Sequence, residues 1–83
     1  MRIEVLHCDI DLGLPWHVNR CPVALAMARA TGRRVLVSRE DAEVEGLGYF
    51  SLPRKASEFM RKFDLSRKVL PISFELRQEI DAE

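Results

Sequence analysis

The sequence predicts a single α+β domain with the ferredoxin-like order βαββαβ, in which a small antiparallel sheet carries both helices on one face. Three observations support this prediction. The length of 83 residues suits one domain with one core. Two helical segments each begin beside a proline, at residues 22 and 53. Short runs of β-branched or alternating apolar residues precede, separate and follow these helices.

The first helix is predicted over residues 22–31 and is apolar on nearly every side. Pro22 suits the first helical position, because its missing N–H would have no intrahelical partner there. Arg29 is the one charged residue between Val23 and Ala30, and Gly32 is typical of a left-handed stop. A helix without a polar face has to be enclosed by other elements. We therefore expect the rest of the chain to cover it.

The second helix begins at Pro53 and carries one apolar stripe. Its members recur at i, i+3, i+4 and i+7, which places them on one face of a helix: Ala56, Phe59, Met60 and Phe63. Four basic residues lie away from that stripe and predict a solvated basic face: Arg54, Lys55, Arg61 and Lys62.

Four strands are predicted, over residues 3–6, 33–38, 49–52 and 69–76. Pro71 cannot donate to a strand ladder, so the last strand either lies at an edge or enters the sheet after this residue. Residues 40–45 indicate either an acidic edge strand or a solvated loop. Asp9 predicts a single capped turn that ends at Gly13. Residues 77–83 read as a polar tail that frays.

Composition restricts the function classes. Thirteen basic residues balance thirteen acidic ones, so the whole chain exerts no net attraction on nucleic acid or an anionic membrane. No apolar run approaches the ~20 residues of a membrane span, and the first residues lack the apolar core of a signal peptide. These features predict a cytosolic protein in which Cys8 and Cys21 are reduced thiols.

All histidines and cysteines fall within fifteen residues: His7, Cys8, His17 and Cys21. Two thiolates and two imidazoles can form a zinc site, but neighbouring His7 and Cys8 face opposite ways on a strand, and no C-x-x-C is present. A Cys21 thiol activated at the helix N-terminus beside His17 is a further alternative. The simplest interpretation is a buried Cys21 and surface histidines. We therefore predict no catalytic residue, metal or cofactor.

Residues 45–52 resemble the signature of RNA-recognition motifs on their third strand. Matching positions are Gly46, Gly48 and Tyr49. Glu45 stands where that signature has a basic residue, and Leu47 replaces a stacking aromatic. The resemblance implies binding of single-stranded nucleic acid by Tyr49, Phe50 and the basic face. The alternative is a bulged strand whose Tyr49 or Phe50 packs in the core.

Charge is segregated along the chain. An acidic set consists of Glu40, Asp41, Glu43 and Glu45, and a basic set of Arg54, Lys55, Arg61 and Lys62. Such sets of charged residues usually form solvent-exposed faces without a binding function. Opposite patches in a chain without a catalytic signature favour a protein-binding role, with one of these sets at the contact.

Residues 3–76 resemble a group of short, uncharacterised phage and prophage proteins. The most specific pieces are Cys-Pro-Val-Ala-Leu-Ala at 21–26 and Leu-Pro-x-x-Ala-x-x-Phe-x-x-x-Phe-Asp at 52–64. The resemblance implies a phage setting and no known enzyme activity. By analogy with anti-CRISPR proteins, we expect a non-enzymatic inhibitor in the host bacterial cytoplasm that binds a CRISPR effector complex and blocks its binding of target DNA. The alternative is the nucleic-acid-binding module described above.

Overall fold

The computed structural model describes residues 1–66 and 68–78. These residues form three helices and two antiparallel sheets, so the predicted α+β class is confirmed. In chain order the elements are β1 (Arg2–Val5), α1 (His7–Leu12), α2 (Pro22–Thr31), β2 (Val35–Val37), β3 (Asp41–Val44), β4 (Gly48–Ser51), α3 (Arg54–Ser66), β5 (Ile72–Glu75) and β6 (Arg77–Gln78). None of the helices in these ranges is long and apolar enough to cross a membrane.

The sheet arrangement corrects the predicted ferredoxin-like fold with its single sheet and two helices. One sheet has the order β2-β3-β4-β6, and the other pairs β1 with β5. Leu76 separates β5 from β6, and its amide donates to the Met1 carbonyl at 2.7 Å. The last segment therefore serves both sheets, because its first part pairs with β1 and its second part with β4. A third helix, α1, follows directly after β1.

The acidic segment forms an interior strand rather than the edge strand or loop that the sequence predicts. β3 lies between β2 and β4 and pairs with both. Its side chains alternate: Ala42 and Val44 are buried, whereas Glu43 is exposed and Asp41 is half-buried. Because successive strand residues face opposite ways, two small apolar residues suffice to anchor an otherwise acidic strand on the core.

The helix α2 matches its prediction at both ends. The Cys21 side chain caps the N-terminus by accepting a hydrogen bond from the Ala24 amide, and Pro22 follows at the first helical position. At the C-terminus Gly32 has a φ of 68°, and its amide donates to the Ala28 carbonyl. This left-handed conformation is one that glycine adopts without penalty. α2 packs against β1, β2, α1 and α3, so the expected enclosure is confirmed.

The core joins α2, α3 and the inner faces of the strands. The predicted stripe of α3 is buried, and Phe63 is completely inaccessible to solvent. β5 begins at Ile72, so it is shorter than the predicted strand over 69–76 and agrees with the alternative of entry after Pro71. Arg77 and Gln78, which the sequence assigns to the polar tail, form β6. The remainder of that tail, residues 79–83, lies outside the described residues.

An ion pair between buried Asp9 and exposed Arg29 joins α1 to α2. Asp9 is 3% exposed, and both of its carboxylate oxygens accept hydrogen bonds from the Arg29 guanidinium. Oδ2 also accepts from the Leu6 amide at 2.8 Å, which confirms Asp9 as a capping residue. Arg29 additionally donates to the Glu4 carbonyl in β1. The side-chain hydrogen bond to Asp9 raises the pKa of Arg29 above its usual value.

Candidate functional site

A broad groove of about 850 Å³ separates α3 from the loop before α2 and the connection between β2 and β3. We call it the Trp16 groove. It is lined by residues 16–18, Cys21, residues 37–40 and one side of α3, which contributes Arg54, Ser57, Glu58, Met60, Arg61, Asp64 and Leu65. Three separate chain segments therefore form its walls.

Trp16 forms the lip of this groove in a strained conformation. Its φ of 64° is left-handed, which is unusual for a bulky side chain and is worth about 1–3 kcal/mol of strain. The backbone amide of Trp16 donates to Asp64 Oδ1 at 3.0 Å, so α3 holds this conformation in place. The indole is nevertheless 70% exposed. The strain therefore presents an aromatic side chain to solvent rather than burying it.

Hydrogen bonds fix each wall of the groove. The Leu14 amide donates to the Arg20 carbonyl at 2.8 Å, which closes the loop on itself. The Val37 amide donates to the Val18 carbonyl at 2.7 Å and ties the loop to β2. Ser57 Oγ donates to the Arg39 carbonyl at 2.8 Å and ties α3 to the β2–β3 connection. A groove held in this way loses little conformational entropy when a ligand binds.

The rim of the groove combines exposed apolar surface with mixed charge. Val18 and Leu65 are 54% and 69% exposed and line the groove together with Trp16. Its charged residues are balanced: Arg39, Arg54 and Arg61 against Glu40, Glu58 and Asp64. Arg54 Nε lies 3.0 Å from Glu58 Oε2, one helical turn along α3. Apolar lips with a charged rim are typical of protein-binding surfaces.

Cys21 contributes to the groove, but its environment does not activate the thiol. The residue is 5% exposed, and Sγ donates to the Met60 thioether at 3.9 Å. Burial raises the pKa of the Cys21 thiol, and the nearby Asp64 charge raises it further, although backbone amides at the helix N-terminus oppose this shift. The alternative of a thiol with a lowered pKa is therefore wrong, since a nucleophilic cysteine requires the opposite shift.

This raised pKa predicts that the protein loses stability in alkali. Near neutral pH the thiol is protonated in both the folded and the unfolded chain. Above pH ~9 the unfolded chain releases the proton while the folded chain retains it, so the free energy of unfolding falls by up to about 1.4 kcal/mol per pH unit until the folded pKa is reached. Urea unfolding across pH 7.5–10.5 measures this slope.

Cys21→Ser is the matched control for the alkaline measurement. Serine retains an oxygen that caps α2, yet it does not titrate in this range. All other ionisable groups are common to both proteins, so the difference between the two slopes reports Cys21 alone. Identical slopes for the parent and the variant would contradict the assignment.

The histidines and cysteines do not converge on a metal centre. Cys8 is exposed on α1, whereas Cys21 is buried at the start of α2. His17 and Cys21 line the same groove, but among residues 1–66 and 68–78 no three His, Cys, Asp or Glu side chains are placed to hold a metal ion.

The basic set is divided between two grooves on either side of α3. Arg54 and Arg61 line the Trp16 groove. Lys55 and Lys62 line a second groove of about 610 Å³, together with Glu58, Phe59, Lys68, Val69, Leu70 and Ile72. We call this second site the lysine groove. The basic residues therefore belong to two surfaces rather than to one continuous patch.

The acidic set is divided between the Trp16 groove and the four-stranded sheet. Glu40 lines the Trp16 groove, and Asp41 accepts hydrogen bonds from the Ser38 hydroxyl. Glu43 lies on the outer face of the four-stranded sheet, and the Glu45 carbonyl accepts from Arg33 Nη1 at 3.0 Å. Because successive strand residues face opposite ways, Asp41 and Glu43 share the outer face of β3, whereas Glu40 lies at the Trp16 groove.

The exposed face of the four-stranded sheet is where an RNA-recognition motif would stack nucleobases, so its side chains test the predicted nucleic-acid binding. Tyr49 is 52% exposed, whereas Phe50 is buried in the core, as one alternative predicts. Glu43 of β3 pairs with Tyr49 on one side and with Leu36 of β2 on the other. A single exposed ring beside a carboxylate is a poor match to a stacking platform, which requires several rings and positive charge.

The sequence does not predict that Trp16, Val18 and Leu65 together form the apolar lip of the Trp16 groove. Trp16 is the sole tryptophan of the chain and lies in the loop between α1 and α2, which is a usable signal. Val18 and Leu65 carry no such signal, because their exposure depends on how the loop and α3 meet.

In comparisons with family models, curated proteins and solved structures, nothing matches this chain.

Proposed function

We propose that this chain is a small interaction protein that captures a segment of a partner protein in the Trp16 groove. The observation that carries the proposal is Trp16 itself, a strained and exposed aromatic side chain held at the lip of the groove by Asp64. Tryptophan and arginine are the residues most often responsible for binding energy at interfaces. The groove offers both, since Arg54 and Arg61 lie on its α3 wall.

The narrower proposal concerns the partner. We propose that it is a host defence complex, a CRISPR effector, which this protein inhibits in the bacterial cytoplasm by blocking the binding of target DNA. The resemblance of residues 21–26 and 52–64 to short phage proteins supports this setting. The raised pKa of Cys21 supports a binding role over thiol catalysis.

Replacement of Trp16 by glycine tests the proposal with little effect on stability. Glycine accepts a φ of 64° without strain, and the backbone hydrogen bond to Asp64 remains available. We expect stability within about 1 kcal/mol of the parent. Affinity for the captured complex should fall about thirtyfold or more, as expected for an aromatic hot spot.

The experiment compares tagged parent, Trp16→Gly and Leu12→Ala proteins in pull-downs from a CRISPR-bearing host, followed by binding measurements on the recovered complex. Leu12 is 74% exposed but lies outside the groove, so its variant should bind like the parent. Normal CRISPR interference in the presence of the parent protein would refute the narrower proposal. Equal recovery by the parent and Trp16→Gly would refute the assignment of the groove.

Single-stranded nucleic acid is the second candidate, favoured by the exposed Tyr49 on the open sheet face. This candidate requires salt-sensitive binding of an oligonucleotide that Tyr49→Ala weakens and Trp16→Gly does not. The same set of variants therefore separates the two functions.

A further inference from the structure

The lysine groove has a different chemistry from the Trp16 groove. Its lining includes three lysines, Lys55, Lys62 and Lys68, and one acidic residue among the described residues, Glu58. The exposed Glu58 carboxylate also pairs with Arg54, one helical turn away on α3, at 3.0 Å. Three lysines against one carboxylate give the described lining of this groove a net positive formal charge, although the chain as a whole is neutral.

Between the lysines lies apolar surface. Leu70 is 77% exposed at the lip of the groove, and Ile72 is half-buried beneath it. Phe59 forms part of the floor but is 6% exposed, so its ring face is unavailable for stacking. The floor therefore accepts aliphatic side chains and offers no platform for a nucleobase.

We infer that the lysine groove binds an acidic amphipathic peptide segment of a partner protein, at a site separate from the Trp16 groove. Lys55 and Lys62 are seven residues apart on α3, which corresponds to about 10.5 Å along the helix axis. The occupant is a segment with two carboxylates at this separation and a leucine or isoleucine between them. Its aliphatic side chain packs against Leu70, and its carboxylates pair with the lysines.

The combination of lysines with an aliphatic floor favours this peptide over other anionic ligands. A groove of about 610 Å³ has room for a few side chains of a peptide. Phosphodiester strands satisfy the lysines but leave the aliphatic floor without a partner. An acidic peptide with aliphatic residues satisfies both features, because charge complementarity steers the encounter and apolar contact retains it.

Fluorescence anisotropy with synthetic peptides tests the inference on the intact protein. The probes are labelled Glu/Leu peptides in which the separation of two glutamates is varied around one or two helical turns. Matched peptides carry lysine for glutamate or alanine for leucine, and an oligothymidylate and phosphatidylserine vesicles complete the set. We expect saturable binding of a Glu/Leu peptide, with at least roughly tenfold weaker binding of every matched peptide.

Variants locate the site. Lys62→Glu should weaken peptide binding roughly tenfold, and Leu70→Ser should weaken it about fivefold. Arg61→Glu is the matched control, because it makes the same charge change on the adjacent position of α3 but faces the Trp16 groove. We expect this control to change affinity less than about twofold. Amide shifts in NMR spectra should change at Lys55, Lys62 and residues 68–72.

Several results would overturn the inference. The first is the absence of saturable binding by all Glu/Leu peptides at millimolar concentration, and the second is a Glu/Ala peptide that binds as tightly as the Glu/Leu peptide. The third is an equal loss of peptide affinity in Lys62→Glu and Arg61→Glu. The fourth is an oligonucleotide or vesicle that binds more tightly than the Glu/Leu peptide. Trp16→Gly should leave peptide affinity unchanged. The inference can therefore fail while the proposed function of the Trp16 groove survives, and the reverse also holds.

Discussion

Phe63→Ala is expected to destabilise the protein by about 3–5 kcal/mol. Phe63 is fully buried near the C-terminal end of α3 and belongs to the core cluster, so truncation of its ring leaves a cavity. A domain of this length has a total stability of about 4–12 kcal/mol at ordinary values per residue. The variant should therefore unfold at a far lower urea concentration than the parent, as followed by far-UV circular dichroism.

Two comparisons make this result informative. Phe63→Leu retains most of the volume and should lose about 1.5 kcal/mol, so it remains measurable if the alanine variant does not fold. Leu65→Ala lies two residues away in the same helix, but Leu65 is 69% exposed, and the change should be within about 0.5 kcal/mol. A loss for Phe63→Ala no larger than that for Leu65→Ala would place Phe63 outside the core.

The helices could be predicted from the sequence because their signals are local. Pro22 and Gly32 lie at the two ends of α2, and the i, i+3, i+4, i+7 stripe identifies the buried face of α3. Each signal depends on residues within a few turns of one another, so tertiary contacts do not have to be known.

The sheet could not be predicted to the same extent, because strand partners are distant in sequence. Residues 40–45 are too acidic to indicate an interior strand, yet Ala42 and Val44 anchor β3 between two neighbours. The change of partner at Leu76 depends on where β1 and β4 end, which no local pattern encodes. Long-range pairing thus replaced the expected single sheet with two.

The candidate sites likewise combine features that local sequence signals predict with features that depend on long-range packing. The sequence singles out all four basic residues of α3, but only the packing of its neighbours assigns Arg61 to one groove and Lys62 to the other. The Trp16 groove is formed by a loop, a turn and a helix from three parts of the chain, and a hydrogen bond from the Trp16 amide to Asp64 joins two of them. Features assembled in this way become visible only in three dimensions.

Asp9→Ala is expected to lose about 2–3 kcal/mol, which corresponds to a fall in Tm of roughly 8–24 °C for a domain of this size. The change removes the paired hydrogen bonds to Arg29 and the capping bond to the Leu6 amide. The expected loss is moderated because the Arg29 side chain is 45% exposed and regains water when its partner is removed. Asp11→Ala, an exposed carboxylate on the same helix, should change stability by less than about 0.5 kcal/mol.

Replacing the other partner should be more damaging, and this asymmetry is the stricter test of the ion pair. Arg29→Ala leaves a carboxylate that is 3% exposed without its main partner, whereas Asp9→Ala leaves a guanidinium that reaches solvent. Arg29→Ala should therefore lose about 1 kcal/mol more than Asp9→Ala. The double variant should lose less than the sum of the two, because removing Asp9 also removes the unpaired buried charge. Additive losses from calorimetry would mean that the two side chains stabilise the fold independently. In that case the junction of β1, α1 and α2 would depend on apolar packing instead.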